Sequence, residues 1–181
     1  MNVVRKTIAV LVLCLFPVAA QADQNIPDQY PASLLYSKPV EVIPNVWTSI
    51  GATAPPGYDN AGHNNNLSFL VTGDGVIVIN GGGSYGLAEA LHTEIKIVTD
   101  QPVKLVINEN GQGHAALGNC YWAEQGVTIL AHEDAAEEFT TNGHQILEAA
   151  KQRLKDRADK TCVKGPDETF SDKKDVSLGA M

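Results

Sequence analysis

Strand and helix patterns that alternate from residue 67 to residue 158 predict an α/β domain. Three features carry that expectation. Residues 67–71 and 76–79 are β-rich runs on either side of a Gly73-Asp74-Gly75 turn, which reads as a hairpin. Leu87, Ala88, Leu91, Ile95 and Val98 recur at helical spacing behind Ser84, a residue type that caps helix starts. Pro102 then precedes an apolar strand run at 103–107.

The flanking segments follow the same logic. Residues 23–38 are polar and proline-bearing and read as an extended surface arm, and 40–50 form one apolar strand pattern containing Trp47. In the 52–66 segment Pro55-Pro56-Gly57, Gly62 and Asn64-Asn65-Asn66 sustain neither a ladder nor a helix, so it is a loop. A structureless stretch of that length is more often functional than idle. Asn80-Gly81-Gly82-Gly83 ends the second hairpin strand. Beyond the strand at 103–107 come a Gly-rich loop at 110–113, a short helix through Tyr121 and Trp122, and a strand at 127–131. Two charged amphipathic helices at 133–139 and 146–158 are broken near Asn142-Gly143. Glu168-Thr169-Phe170-Ser171 and Val176-Ser177-Leu178 read as two further strands.

The chain has 181 residues, of which 44% are apolar and 19% charged. With a mean hydropathy of -0.10, that is enough apolar material for one packed domain. The net charge of -8 at pH 7 argues against nucleic acid and anionic membrane surfaces, because both select a basic footprint. Arg5 and Lys6, the apolar run at 8–16 and the small-x-small site Ala20-Gln21-Ala22 stand in the order of a secretory signal cleaved after Ala22. The expected organisation is therefore a signal peptide at 1–22, an arm at 23–41 and a domain at 42–181, in a periplasmic or secreted protein. No segment approaches the ~20 apolar residues that cross a bilayer. Export would leave Cys120 and Cys162 in an oxidising compartment, where they either pair or sit as two small hydrophobes.

The order of elements resembles the N-terminal half of the metallo-β-lactamase fold hydrolases over residues 42–139. Asp74-Gly75-Val76-Ile77-Val78-Ile79-Asn80-Gly81-Gly82 is similar to the family's strand-and-turn segment dGvvvIDtG. Val106-Ile107-Asn108-Glu109-Asn110-Gly111-Gln112-Gly113-His114-Ala115-Ala116-Leu117-Gly118-Asn119 is similar to its motif vvNTHxHxDHxxGN. The resemblance implies an αββα sandwich, here only its N-terminal half, with one or two metal ions, usually zinc, at one edge. It also implies hydrolysis of an ester, thioester or lactam with the ion as Lewis acid.

The departures fall at the metal. Aligned without a gap, the first two motif histidines become Asn110 and Gln112, the motif aspartate becomes His114 and the third histidine Ala115; the aspartate closing the earlier strand becomes Asn80. A shift by one places His114 on the third histidine, and either way at most one imidazole remains. Zinc selects imidazole, thiolate or carboxylate, and neutral amides are poor substitutes. The candidate metal positions are thus His114, Asn110 and Gln112, with zinc and a small-molecule substrate implied by resemblance. The alternative is a non-catalytic small-ligand-binding module that keeps the fold without the metal.

Among the histidines, His114 reads as a hydrogen-bonded loop residue or a ligand, and His132 as a surface or capping residue. His92 and His144 read as solvated, and His63 lies in a loop that, by the family resemblance, faces the active-site edge. The family's second half supplies further ligands, and no histidine follows His144. The expectation is a fragment, marginally folded, whose helix-bearing segments expose apolar faces.

Overall fold

Every strand of the single sheet pairs with the strand that follows it in the chain. The computed structural model describes residues 30–179; the leader and the first part of the arm lie outside the described residues. Strands β1 (Val40–Ile43), β2 (Val46–Ser49), β3 (Leu67–Val71) and β4 (Val76–Ile79) form an antiparallel meander. Strands β5 (Val103–Asn108), β6 (Thr128–His132) and β7 (Glu168–Phe170) then add in parallel, giving the order β1-β2-β3-β4-β5-β6-β7. The parallel steps are bridged by α1 (Tyr85–Val98), by α2 (Gly113–Ala116) with α3 (Asn119–Glu124), and by α4 (Glu133–Leu154), which ends in a 3-10 turn at Lys155–Ala158.

That topology decides where the core lies. Parallel crossovers take one hand almost without exception, so crossovers that always advance the same way across a sheet put all their helices on one face. Leu67, Phe69, Val76, Val78, Val106 and Ile129 on that face join Leu87, Leu91, Ile95 and Trp122 in the main core. A second cluster, Leu117, Phe139, Leu147, Ala150 and Leu154, packs α4 onto α2. On the opposite face, cross-strand rows Leu70–Ile77–Leu105 and Ile79–Ile107–Leu130 are apolar too. Leu70, Ile79, Leu105 and Ile107 in those rows are only half-buried. The sequence predicts exposed apolar faces on the helices; instead the helices bury theirs and the sheet carries the exposed apolar surface, on the side that receives no helix among the described residues.

Other expectations are corrected as well. The 40–50 segment is two strands, because Pro44 lacks an N–H and Asn45 turns the chain with φ 67°, its N–H held by Glu41 Oε1 at 2.8 Å. α4 passes unbroken through Asn142-Gly143 because Gly143 is packed against Val163, where a Cβ would come within 2.8 Å of a methyl carbon. Packing there outweighs glycine's low helix propensity. Residues 176–178 pair with no strand: from Ser171, whose carbonyl accepts from His132 Nε2, the chain returns to the β3–β4 turn, where Gly179 lies against Thr72 and Asp74. Cys120 and Cys162 form a disulfide. Among the described residues no helix is long and apolar enough to cross a membrane.

Candidate functional site

The loops at the C-terminal ends of β4 and β5 meet at one corner. Asn80 ends β4 in the left-handed region, φ 69°, which Asn tolerates better than most side chains. Its Oδ1 accepts the Glu109 N–H at 3.1 Å and its own N–H donates to Ile107. Asn108 at the end of β5 and Asn119 at the start of α3 exchange amide bonds of 3.1 and 2.8 Å. Asn108 Nδ2 also donates to the Ala115 carbonyl, and Asn119 Nδ2 to Lys164. Gly118 donates its N–H to Gly82, and a Cβ on it would collide with the Gly81 carbonyl. Trp122 Nε1 donates to that same carbonyl at 2.9 Å. The corner is a closed network in which each buried amide has partners.

The candidate metal positions lie just outside it. Asn110 Oδ1 accepts the Gln112 N–H at 2.9 Å, and its Nδ2 sits 3.3 Å from His114 Nε2. Glu109 Oε1 is 3.5 Å from the same imidazole nitrogen. Gln112 is exposed and makes no side-chain cap to α2. The structure thus brings Asn110 and His114 into contact and leaves the Gln112 amide facing solvent. A catalytic zinc takes three protein ligands and leaves one open position. One imidazole, already engaged by an amide and a carboxylate, with two neutral amides does not fit that requirement. Among the described residues no cluster of three His, Cys, Asp or Glu is placed to hold a metal.

Of the four remaining histidines, His63 and His92 depart from expectation and His132 and His144 do not. His63 is fully buried, and its Nδ1 accepts the Tyr36 N–H at 2.8 Å, so it fastens the 52–66 loop to the arm rather than facing an active-site edge. Burial pushes its pKa down to about 4, against an opposing pull from the Asn65 and Ser49 backbone. His92 is buried, not solvated: its Nδ1 is 2.7 Å from the Tyr121 hydroxyl and its ring lies against Trp122, because α3 packs across that side of α1. Burial lowers the His92 pKa and raises that of Tyr121 to about 12. His132 caps α4, accepting the Asp134 N–H on Nδ1, and His144 is exposed.

Between the 52–66 loop, α2 and the C-terminal half of α4 lies a cavity of about 280 Å³. Asn64, Gln112, His114, Leu117, Ile146 and Arg153 are in its wall. The loop is held in place from below. Asn60 Oδ1 accepts the N–H groups of Gly57 and Gly62, Gly62 rests on Leu154, and Arg157 stacks 4.4 Å from the Tyr58 ring while donating to its carbonyl. Arg153 and Ile146 carried no signal beyond belonging to a charged amphipathic helix, since only the fold shows which loop that helix faces.

No family model matches the chain, and no curated protein does. Among solved structures, a metallo-β-lactamase from Pontibacter korlensis superposes at TM-score 0.51 and 22% identity, covering 78% of this chain and 55% of that one. The metallo-β-lactamase FIM-1 from Pseudomonas aeruginosa, in a mono-zinc form, superposes at TM-score 0.53 and 15% identity, covering 73% and 49%. The chain spans about half the length of these structures. Over that half, the seven-stranded sheet and its helices have the metallo-β-lactamase fold.

Proposed function

We propose that this chain is a small-ligand-binding module built on the metallo-β-lactamase fold, with its binding site in the cavity between the 52–66 loop and α4. The observation that carries this reading is the loop at 110–114: its donors suit hydrogen bonding and not a three-ligand zinc. A preformed cavity with apolar walls and a few polar groups adjoins it. The acidic charge disfavours nucleic acid and anionic membranes as partners.

The test is metal analysis of purified chain after mild dialysis against zinc, with His114→Ala alongside. We expect less than stoichiometric zinc and no change on substitution. Stoichiometric zinc that His114→Ala removes would overturn the reading. It would favour instead a metal-dependent hydrolase, a possibility supported by the mono-zinc form of one solved relative in fold.

Export to the periplasm or beyond belongs to the same proposal. It is supported by the ordered leader features and by a disulfide of the kind that persists in oxidising compartments. N-terminal sequencing of the secreted protein should begin at Asp23, and an intact Met1 in a cytosolic fraction would contradict it.

A further inference from the structure

The wall of the cavity combines one full positive charge with no acid. Arg153, in the last turn of α4, lines it and makes no ion pair or hydrogen bond among the described residues. No Asp or Glu lines it, in a chain that carries 21 acidic residues against 13 basic ones. Glu109, the acid close to His114, is turned to that imidazole. Leu117, Ile146 and Leu154 supply an apolar wall. Asn64, across from α4 on the loop, has its Oδ1 buried without a hydrogen-bond partner, an acceptor that lacks a donor. A guanidinium without a carboxylate partner, in an otherwise acidic protein, selects an anion, and its planar fork matches a carboxylate in two parallel bonds. The volume lies at the small end for ligand pockets.

We infer that the cavity takes a small carboxylic acid with a compact apolar body and a neutral N–H or O–H donor. Its carboxylate pairs with Arg153, its body rests on Leu117, Ile146 and Leu154, and its donor goes to Asn64. This rests on the proposal that the cavity is the binding site, and it adds the chemical class of the ligand.

N-acetyl-leucine is a probe of that class, and N-acetyl-leucinamide is its neutral match. Titration calorimetry of both against the full chain should show the acid binding about tenfold or more tightly than the amide, the range of one charge-assisted bond. Arg153→Gln should abolish that difference while leaving the amide unchanged, and Arg153→Lys should retain part of it. Gln112→Trp, at an exposed position on the cavity mouth, should weaken both ligands without unfolding the chain, which circular dichroism checks. Equal binding of acid and amide, both weakened by Gln112→Trp, overturns the carboxylate class and keeps the cavity as a site. Absence of binding by either compound, or indifference to Gln112→Trp, overturns the cavity assignment itself.

Discussion

Two sets of amides lie within a dozen residues of one another and behave as opposites. Asn108 and Asn119 are buried, paired to each other and to the backbone carbonyls of Ala115 and Lys164. Asn110 and Gln112 stand outside them, the first half-buried in a local turn and the second exposed. The difference separates what the fold requires from what chemistry requires. Asn108, Gly118 and Asn119 bind strand ends to helix starts, so replacing them disturbs the backbone. The positions between them face a solvent-accessible edge, where side chains can change identity without unfolding the chain. The backbone outline of such a loop is therefore held independently of the side chains at its exposed positions.

The sharpest way to break this comparison is to cut the covalent tie at the same corner. Cys120 follows Asn119, and Cys162 stands two residues before Lys164, whose carbonyl accepts from Asn119. The bond joins residues 42 positions apart, so Cys120→Ser with Cys162→Ser should lose about 4 kcal/mol in the chain-entropy account. Urea denaturation with and without reductant measures it. A loss under about 1 kcal/mol would mean that the amide network holds the corner unaided.

Gly118→Ala should come next, at about 3 kcal/mol, in the range of an overpacked core site. The cause is space rather than dihedral strain, because φ of Gly118 is -79°. The added methyl would meet the Gly81 carbonyl, which also accepts from Trp122, and the Ala88 side chain. Denaturation midpoints at constant slope test this. A cost below about 1 kcal/mol would show that the β4 turn gives way easily.

This corner was legible in the chain. The Gly-Asn pair after the Gly-rich loop, the hairpin runs and the cap at Ser84, whose Oγ accepts the Leu87 N–H, are local patterns with local causes. What could not be read depended on distant neighbours. Nothing near Gly143 reveals that Val163 packs on it, and nothing near His92 reveals that α3 would cover it. The cavity is of the same kind, because Asn64 and Arg153 meet only when a loop and a helix 89 positions apart are folded together. The uncovered face follows from topology, which local periodicity does not contain.

The same contrast is compressed into neighbouring residues at His63 and Asn64, one inward and one on the cavity wall. The folded pKa of His63 is about 4 against an ordinary 6.5. In the window between them the unfolded chain binds a proton that the folded chain refuses, so its stability contribution is full above pH 6.5 and declines as pH falls toward 4. By pH 5 the loss should reach about 2 kcal/mol. Denaturation of wild type and His63→Phe across pH 5 to 7.5 separates this from other titrations, since only the wild type should show the extra decline. Parallel profiles would mean that His63 takes up its proton without leaving its site.

The smallest effect belongs to the outer loop, and it tests the other side of the comparison. Gln112 is exposed, its side chain makes no cap to α2, and its hydrogen bonds run through its backbone: the N–H donates to Asn110 and the carbonyl accepts from Ala115 and Ala116. Gln112→Ala should therefore change stability by less than about 0.5 kcal/mol, as surface substitutions without a structural role do. Asn110→Ala removes the acceptor of that N–H and the contact to His114, so it should cost more, about 1 kcal/mol, and still fall well short of Gly118→Ala. Thermal melts of the three variants side by side give the ranking. If Gln112→Ala proved as damaging as Gly118→Ala, the outer loop would be part of the folded scaffold, and its amides would be there for structure rather than for a ligand.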